Sequence, residues 1–298
     1  MTVSIVEVSP RDGLQNESAL VPTADKLALI GTLVASGVRR IEAVSFAHPK
    51  RVPQMADAEA VAAGLPRGQV SWIGLVLNEK GLDRAIAAGL DEVNVVVVAT
   101  DTFSERNQGV PTAEAAAAWS RIAARAREAG LRTTVTVAAA FGCPFEGEVP
   151  VARVRSVIEA CAAAGPDELA IADTIGVGVP AQVRALHEAA VAAAPGVPLR
   201  WHFHNTRNTG YANALAAAEL AGSEPVALDS SAGGIGGCPF APNATGNIAT
   251  EDLLYLLHRN GFPTGVDVEP LLPLGARLGE LLGHQVPGQL ARAGLFPS

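Results

Sequence analysis

Apolar runs of strand length alternate with alanine-rich runs of helical period along the whole chain. Strand-like runs fall at residues 4–8, 40–44, 70–77, 92–99, 133–140, 168–172, 199–204 and 226–230. Such runs, rich in Val, Ile and Leu, suit strands of a buried parallel sheet. Between them, residues 23–36, 112–129, 151–163, 180–193, 211–220 and 250–259 repeat apolar positions at helical spacing. Gly37, Gly130, Gly165 and Gly261 each follow such a stretch, where helices often end in a left-handed residue. Thr23, Thr112 and Thr250 stand at helix starts with an acidic residue within two positions, and are expected as N-caps. Eight βα units without a composition break predict a closed (β/α)8 TIM barrel. It spans about residues 4–265, with an extra C-terminal helical segment over 266–298 whose helix covers 268–282. The competing arrangement is an open doubly wound sheet. No linker marks a second domain, so residues 1–298 are expected to form one.

Polar residues gather where the predicted strands end, which is where barrels of this kind keep their reactive groups. The first strand runs into Ser9-Pro10-Arg11-Asp12-Gly13-Leu14-Gln15-Asn16-Glu17, and the second contains Glu42. The sixth leads to Asp173-Thr174, and a glycine-rich loop with Cys238 and Asn247 follows the eighth. The seventh ends in Trp201-His202-Phe203-His204. On a strand, side chains two positions apart share a face, so both imidazoles point one way; on a helix they would diverge. Two such rings can share a divalent ion, although one packed and one exposed histidine is the plainer reading of the pair alone.

Composition narrows the function classes. Hydrophobic residues make up 49% and charged ones 17%, which excludes a disordered chain. A formal net charge of −8 argues against a nucleic-acid or anionic-membrane partner. No apolar run approaches the roughly 18 residues of a membrane span, and the N-terminal residues read as a strand, so a cytoplasmic location is expected. Three cysteines at unrelated spacings suit reduced thiols, with Cys143 and Cys161 as core residues.

Four segments together carry a resemblance: Val6 to Glu17, Gly142-Cys143-Pro144-Phe145-Glu146-Gly147, Asp173-Thr174-Ile175-Gly176-Val177-Gly178, and Gly233 to Glu251. In order and over nearly the whole chain, they resemble the 3-hydroxy-3-methylglutaryl-CoA lyase family. The resemblance implies a metal-dependent barrel lyase that splits 3-hydroxy-3-methylglutaryl-CoA into acetyl-CoA and acetoacetate. It places the metal ligands on Asp12, His202, His204 and Asn247, a mixed oxygen and nitrogen set that suits Mg²⁺ or Mn²⁺. Asp12 read alone is a turn residue before Gly13, and Asn247 read alone is a helix N-cap. The resemblance makes Arg11 the electrophile beside the thioester oxygen and Cys238 a participant in proton transfer. It brings His202 and Asp173 closest to the hydroxyl proton, leaving open which takes it. Glu42 orients Arg11 or a ligand, and with Gln15, Thr174 and Arg207 completes the substrate-side set. The implied partners are an acyl-CoA thioester and a second copy in a homodimer.

The chain departs from these lyases after the second histidine. They continue Asp-Thr-Tyr-Gly, whereas this chain has Asn205-Thr206-Arg207-Asn208, a change of two charge units beside a ligand. Arg207 is therefore expected to pair with a substrate carboxylate or a CoA phosphate. Asn205 leans towards condensing relatives such as isopropylmalate synthase, and Gly237-Cys238-Pro239-Phe240 leans back towards lyases. The alternative substrate is another branched 3-hydroxyacyl-CoA or 3-hydroxy acid.

Overall fold

In the computed structural model, which describes residues 3–222, 226–237 and 246–296, eight parallel strands pair in sequence order and close on themselves. They are β1 (Val3–Glu7), β2 (Arg40–Ser45), β3 (Ser71–Val76), β4 (Glu92–Val98), β5 (Arg132–Ala138), β6 (Glu168–Asp173), β7 (Leu199–Phe203) and β8 (Val226–Ser230). β1 pairs with both β2 and β8, so no strand edge is left open. Each predicted strand is present, shifted by a residue or two at its ends, and the open-sheet alternative is excluded.

The outer layer comprises α1 (Thr23–Ala35), α2 (Ala58–Ala63), α3 (Glu79–Ala87), α4 (Asp101–Gln108), α5 (Thr112–Glu128), α6 (Val151–Ala162), α7 (Pro180–Ala193), α8 (Gly210–Glu219) and α9 (Thr250–Arg259). The C-terminal extension is a 3₁₀ turn (Glu269–Leu271), α10 (Leu272–Leu282) and the short α11 (Leu290–Ala293). Leu271, Leu274, Leu278 and Leu282 form the buried stripe of this segment, at helical spacing. The helical stretches read from the sequence omit α2, which is too short to show a full period, α3, whose buried face is only Gly81, Leu82 and Ala85, and α4, where Phe103 is the one large apolar residue.

The three threonines do not cap. Pro22, Pro111 and Ala249 hold the extended N-cap positions, and each threonine is already the first helical residue. Their hydroxyls reach tertiary partners instead. Thr23 donates to Asp57 (2.7 Å), Thr112 to the Val98 carbonyl (2.9 Å) and Thr250 to Glu7 (2.6 Å). Helix starts are thereby stitched to neighbouring elements. The C-terminal expectation holds: Gly37, Gly130, Gly165 and Gly261 all have positive φ, between 66° and 99°.

Strand alternation divides two environments. On β7, Trp201 and Phe203 face the helices and stack at 5.9 Å, whereas Arg200 and His202 face the barrel axis, where their partners Glu42 and Asp229 lie. The interior has one small apolar cluster (Val6, Val8, Ile73 and Ala227) and otherwise carries buried ions. Near the strand starts, Arg40 donates to Glu168 (2.8 Å) and Glu92 (2.6 Å), and Thr134 donates to Glu92 (2.9 Å). Both carboxylates are almost fully buried, so neither is compensated by water. Arg40→Met is therefore expected to cost about 3–5 kcal/mol, since it strands buried Glu92 and leaves Glu168 with only Arg132 (3.3 Å) and Arg200 (4.0 Å) as cations. Thermal unfolding checks this, and a midpoint within a degree or two of wild type would contradict it.

Candidate metal and active site

β1 opens into a single π-helical turn, Ser9–Gly13, in which Gly13 N–H reaches back to the Val8 carbonyl (3.1 Å). Turns of this type are rare and frequently functional. Gly13 is required there, because a Cβ would meet Ser231 Oγ at 2.7 Å and Ile235 Cγ1 at 2.8 Å. The turn sets the consecutive Arg11 and Asp12 side chains on the wall of one cavity of about 720 Å³ at the strand C-terminal ends. His202, His204, Gln15 and Thr174 line the same cavity.

The candidate ligand atoms of Asp12, His202 and His204 all lie within 4.8 Å of one another. Asn247 joins them through backbone pairing: His204 and Asn247 form an antiparallel bridge, and Asn205 N–H donates to the Gly246 carbonyl (3.0 Å). Its amide nitrogen donates to Asp12 (2.8 Å) and to the Ile235 carbonyl (3.1 Å). Ala249, not Asn247, is the N-cap of α9. Two acceptor atoms are left buried without a hydrogen-bond partner: Asn247 Oδ1 and His204 Nδ1. An orphaned amide oxygen and imidazole nitrogen beside a carboxylate are what a divalent cation would satisfy, so the residues fit the expected ion.

Electrostatics hold Asp12 ionised and His204 neutral, the forms that bind a metal, and favour the proton on His202. Burial pushes Asp12 towards the neutral form, but Arg11 and the two imidazoles outweigh it and hold its pKa at about 2. Burial, and then the neighbouring His202, hold His204 neutral, with a pKa of about 3. For His202, burial opposes protonation, but the hydrogen bond and charge of Asp229 prevail and raise its pKa.

Asp229 and Arg200 are the residues the sequence reading missed. Asp229 Oδ2 lies 3.0 Å from His202 Nδ1, which orients the ring and leaves Nε2 free for an ion. Arg200, fully buried, donates to Asp229 through Nε and to Glu42 through Nη2 (3.3 Å). Glu42 in turn holds the Arg11 guanidinium. A signal was present in each strand: one charged residue inside an otherwise apolar run, and in β7 an arginine two positions before His202 on the same face.

The remaining predicted positions separate. Gln15 Oε1 is buried and unpartnered at the cavity. Thr174 Oγ1 accepts from Ala139 N–H (2.8 Å), steadying a residue held at a φ of 55°. Glu42 does not face substrate, since its oxygens serve Arg11, Arg200 and Asn94. Asp173 is not on the cavity wall either: its two oxygens accept from the Val177 and Gly178 amides (both 2.9 Å), folding the loop after β6. His202 faces the cavity but has Nδ1 on Asp229. Arg207 is exposed, away from the cavity wall, and donates to the Ile175 and Gly176 carbonyls (3.2 and 3.0 Å). Asn205 accepts from Gly210 N–H (3.1 Å), so the departure after the second histidine ties loops together. Cys238 lies outside the described residues, directly after Gly237, which lines the cavity. Cys143 and Cys161 are buried, and burial pushes the Cys161 thiol up to about 12.

Asp229→Asn, which removes the charge behind His202, is expected to weaken Mn²⁺ binding about 10–100-fold, measured by titration of the folded protein. Unchanged affinity would mean that the Asp229 contact does not tune the ligand.

With this geometry in hand, the relatives are informative. A family model described as HMGL-like matches residues 2–276. The (R)-citramalyl-CoA lyase of Chloroflexus aurantiacus is 43% identical, with 98% of this chain and 95% of that protein covered. The hydroxymethylglutaryl-CoA lyase YngG of Bacillus subtilis is 39% identical over 96% of this chain and 95% of its own. Among solved structures, an HMG-CoA lyase from Acinetobacter baumannii in complex with coenzyme A and 3-methylmalate superposes with a TM-score of 0.94 at 40% identity, covering 100% of this chain and 96% of that one. A barrel with these candidate ligand positions and a match of this extent leaves one conclusion: the chain belongs to the HMGL-like family, together with the hydroxymethylglutaryl-CoA lyases, and is a carbon–carbon lyase.

Proposed function

We propose that the protein cleaves a branched 3-hydroxyacyl-CoA whose tertiary carbinol also carries a carboxylate arm, with 3-hydroxy-3-methylglutaryl-CoA as the first substrate to test. The observation that carries this reading is the juxtaposition on one cavity wall of Arg11 with the Asp12, His202 and His204 cluster. A Mg²⁺ or Mn²⁺ ion held by Asp12, His202, His204 and Asn247 would supply Lewis acidity towards the substrate hydroxyl.

The chain's own groups account for the rest. When the hydroxyl proton passes to His202, which lines the cavity and is backed by Asp229, the carbinol becomes a ketone while the C–C electron pair passes to the thioester fragment as an enolate. Arg11 is built to meet that charge. It is almost fully buried, and Glu42 and Asp12 fix its guanidinium, so it needs no reorganisation as the oxygen becomes negative. Cys238, whose predecessor Gly237 lines the cavity, is assigned to returning a proton to the enolate carbon, which gives acetyl-CoA. Closing water out of the cavity preserves the enolate until that transfer.

A second reading is favoured by the relative of greater identity, which is named for (R)-citramalyl-CoA. That thioester has the same tertiary hydroxyl and a shorter carboxylate arm, so the same residues would release acetyl-CoA and pyruvate. The deciding assay supplies both thioesters to the protein reconstituted with Mg²⁺ or Mn²⁺ under reducing conditions. Acetoacetate or pyruvate is expected from one of them, and Arg11→Gln is expected to lower kcat by about 10²–10³-fold. Failure to cleave either thioester, with the ion bound, would overturn the assignment.

A further inference from the structure

Midway along β4 the interior face holds an asparagine. Glu92, two residues earlier on that face, is fully buried, whereas Asn94 lies on the wall of the cavity that Arg11 lines. Its neighbours settle which way the amide points. The Glu42 carboxylate accepts a hydrogen bond from Asn94 Nδ2 (3.1 Å), so the amide nitrogen faces Glu42. Oδ1 is left towards β5, where the Thr136 hydroxyl donates to it (2.8 Å). An amide nitrogen carries two hydrogens, and the second has no protein acceptor among the described residues.

The same carboxylate brings Asn94 beside Arg11. Glu42 takes the Arg11 guanidinium on Oε1 and the Asn94 amide on Oε2, so the two donors stand side by side across one acceptor group. Arg11 also commits one Nη1 hydrogen to Asp12 (2.8 Å), which leaves it one hydrogen on each terminal nitrogen. Arg200 sits on Glu42 Oε2 as well (3.3 Å), so two guanidiniums offset the carboxylate charge that would otherwise repel an anion here. Unused N–H groups from a cation and a neutral amide, both held by buried partners, make a pre-set pocket for an oxygen that gains negative charge.

We propose that Asn94 is a catalytic residue: its free N–H is the second donor, with Arg11, to the thioester oxygen as that oxygen becomes an enolate. The inference rests on the acyl-CoA reading above and deepens it. No proton moves to or from Asn94; its hydrogen bond strengthens as charge grows on the oxygen. Thr136 keeps Oδ1, the end of the amide that would repel the enolate, turned to itself.

The test uses Asn94→Leu and Asn94→Ala in the ion-reconstituted protein, on whichever thioester the wild type cleaves. A donor that acts on the enolate is expected to cost about 10²-fold in kcat when removed, with KM changed less than about threefold. Mn²⁺ is expected to bind both variants as it binds wild type. That readout separates a donor from a mere support: Glu42 is linked through Arg200 and Asp229 to His202, so a residue that only steadied Glu42 would weaken Mn²⁺ binding when lost. Unchanged kcat, a loss confined to KM, or weakened Mn²⁺ binding would each overturn the proposal. Asn94→Ala carries the test if the bulk of leucine prevents folding. Wild-type protein that binds Mn²⁺ yet cleaves neither thioester would instead overturn the acyl-CoA reading itself.

Discussion

Arg200 has no access to water; besides Glu168 at 4.0 Å, its charge is balanced through two carboxylates that face different parts of the site. One is Asp229, which holds His202; the other is Glu42, which holds Arg11. A buried guanidinium without these partners would be severely penalised, and each carboxylate would be equally stranded without the guanidinium. The same contacts that make the charge tolerable therefore fix the angle of a candidate ligand ring and the position of the candidate electrophile. Asn94 and Thr136 extend the chain of hydrogen bonds around the barrel (3.1 and 2.8 Å), so few polar atoms in this layer are left to seek alternatives.

Above this layer, position is set by backbone rather than by side-chain ions. The bridge between His204 and Asn247 and that between Ser231 and Ala249 draw the start of α9 onto the ends of β7 and β8. Asn247 reaches the cluster because the chain returns there in paired geometry, and Gly236 leaves room for it. A Cβ on Gly236 would lie 2.5 Å from Asn247 Nδ2. Glu251, the second residue of α9, anchors the glycine-rich segment by accepting from Gly233 N–H (3.0 Å), and burial raises its pKa to about 7.

Strand number, order and helix placement were legible because a closed parallel barrel writes its period into every βα unit. The expected ligand set was legible for a different reason: His202 and His204 share a face by strand geometry, and the long motifs carry the resemblance. Arg200 and Asp229 were harder to see, since a single charge in an apolar strand does not announce its partner on another strand. Asp173 and Arg207 were read as facing the ligand because they are charged residues in motif loops; Asp173 accepts from two backbone amides and Arg207 donates through Nη1 to two carbonyls, contacts a motif does not display. The threonines misled similarly, with tertiary acceptors outcompeting the helix ends.

The ion layer has a consequence for how such a barrel diversifies. Arg11 and His202 are joined through Glu42, Arg200 and Asp229, all inside the barrel, so neither can be re-aimed without breaking a buried charge pair. The rim is under no such restraint: His48 and Arg51 sit on an exposed turn held by local backbone bonds. Selection can therefore rewrite what the mouth admits while the bond-breaking floor stays invariant. Relatives are then expected to agree at the base of the cavity and to differ around its opening.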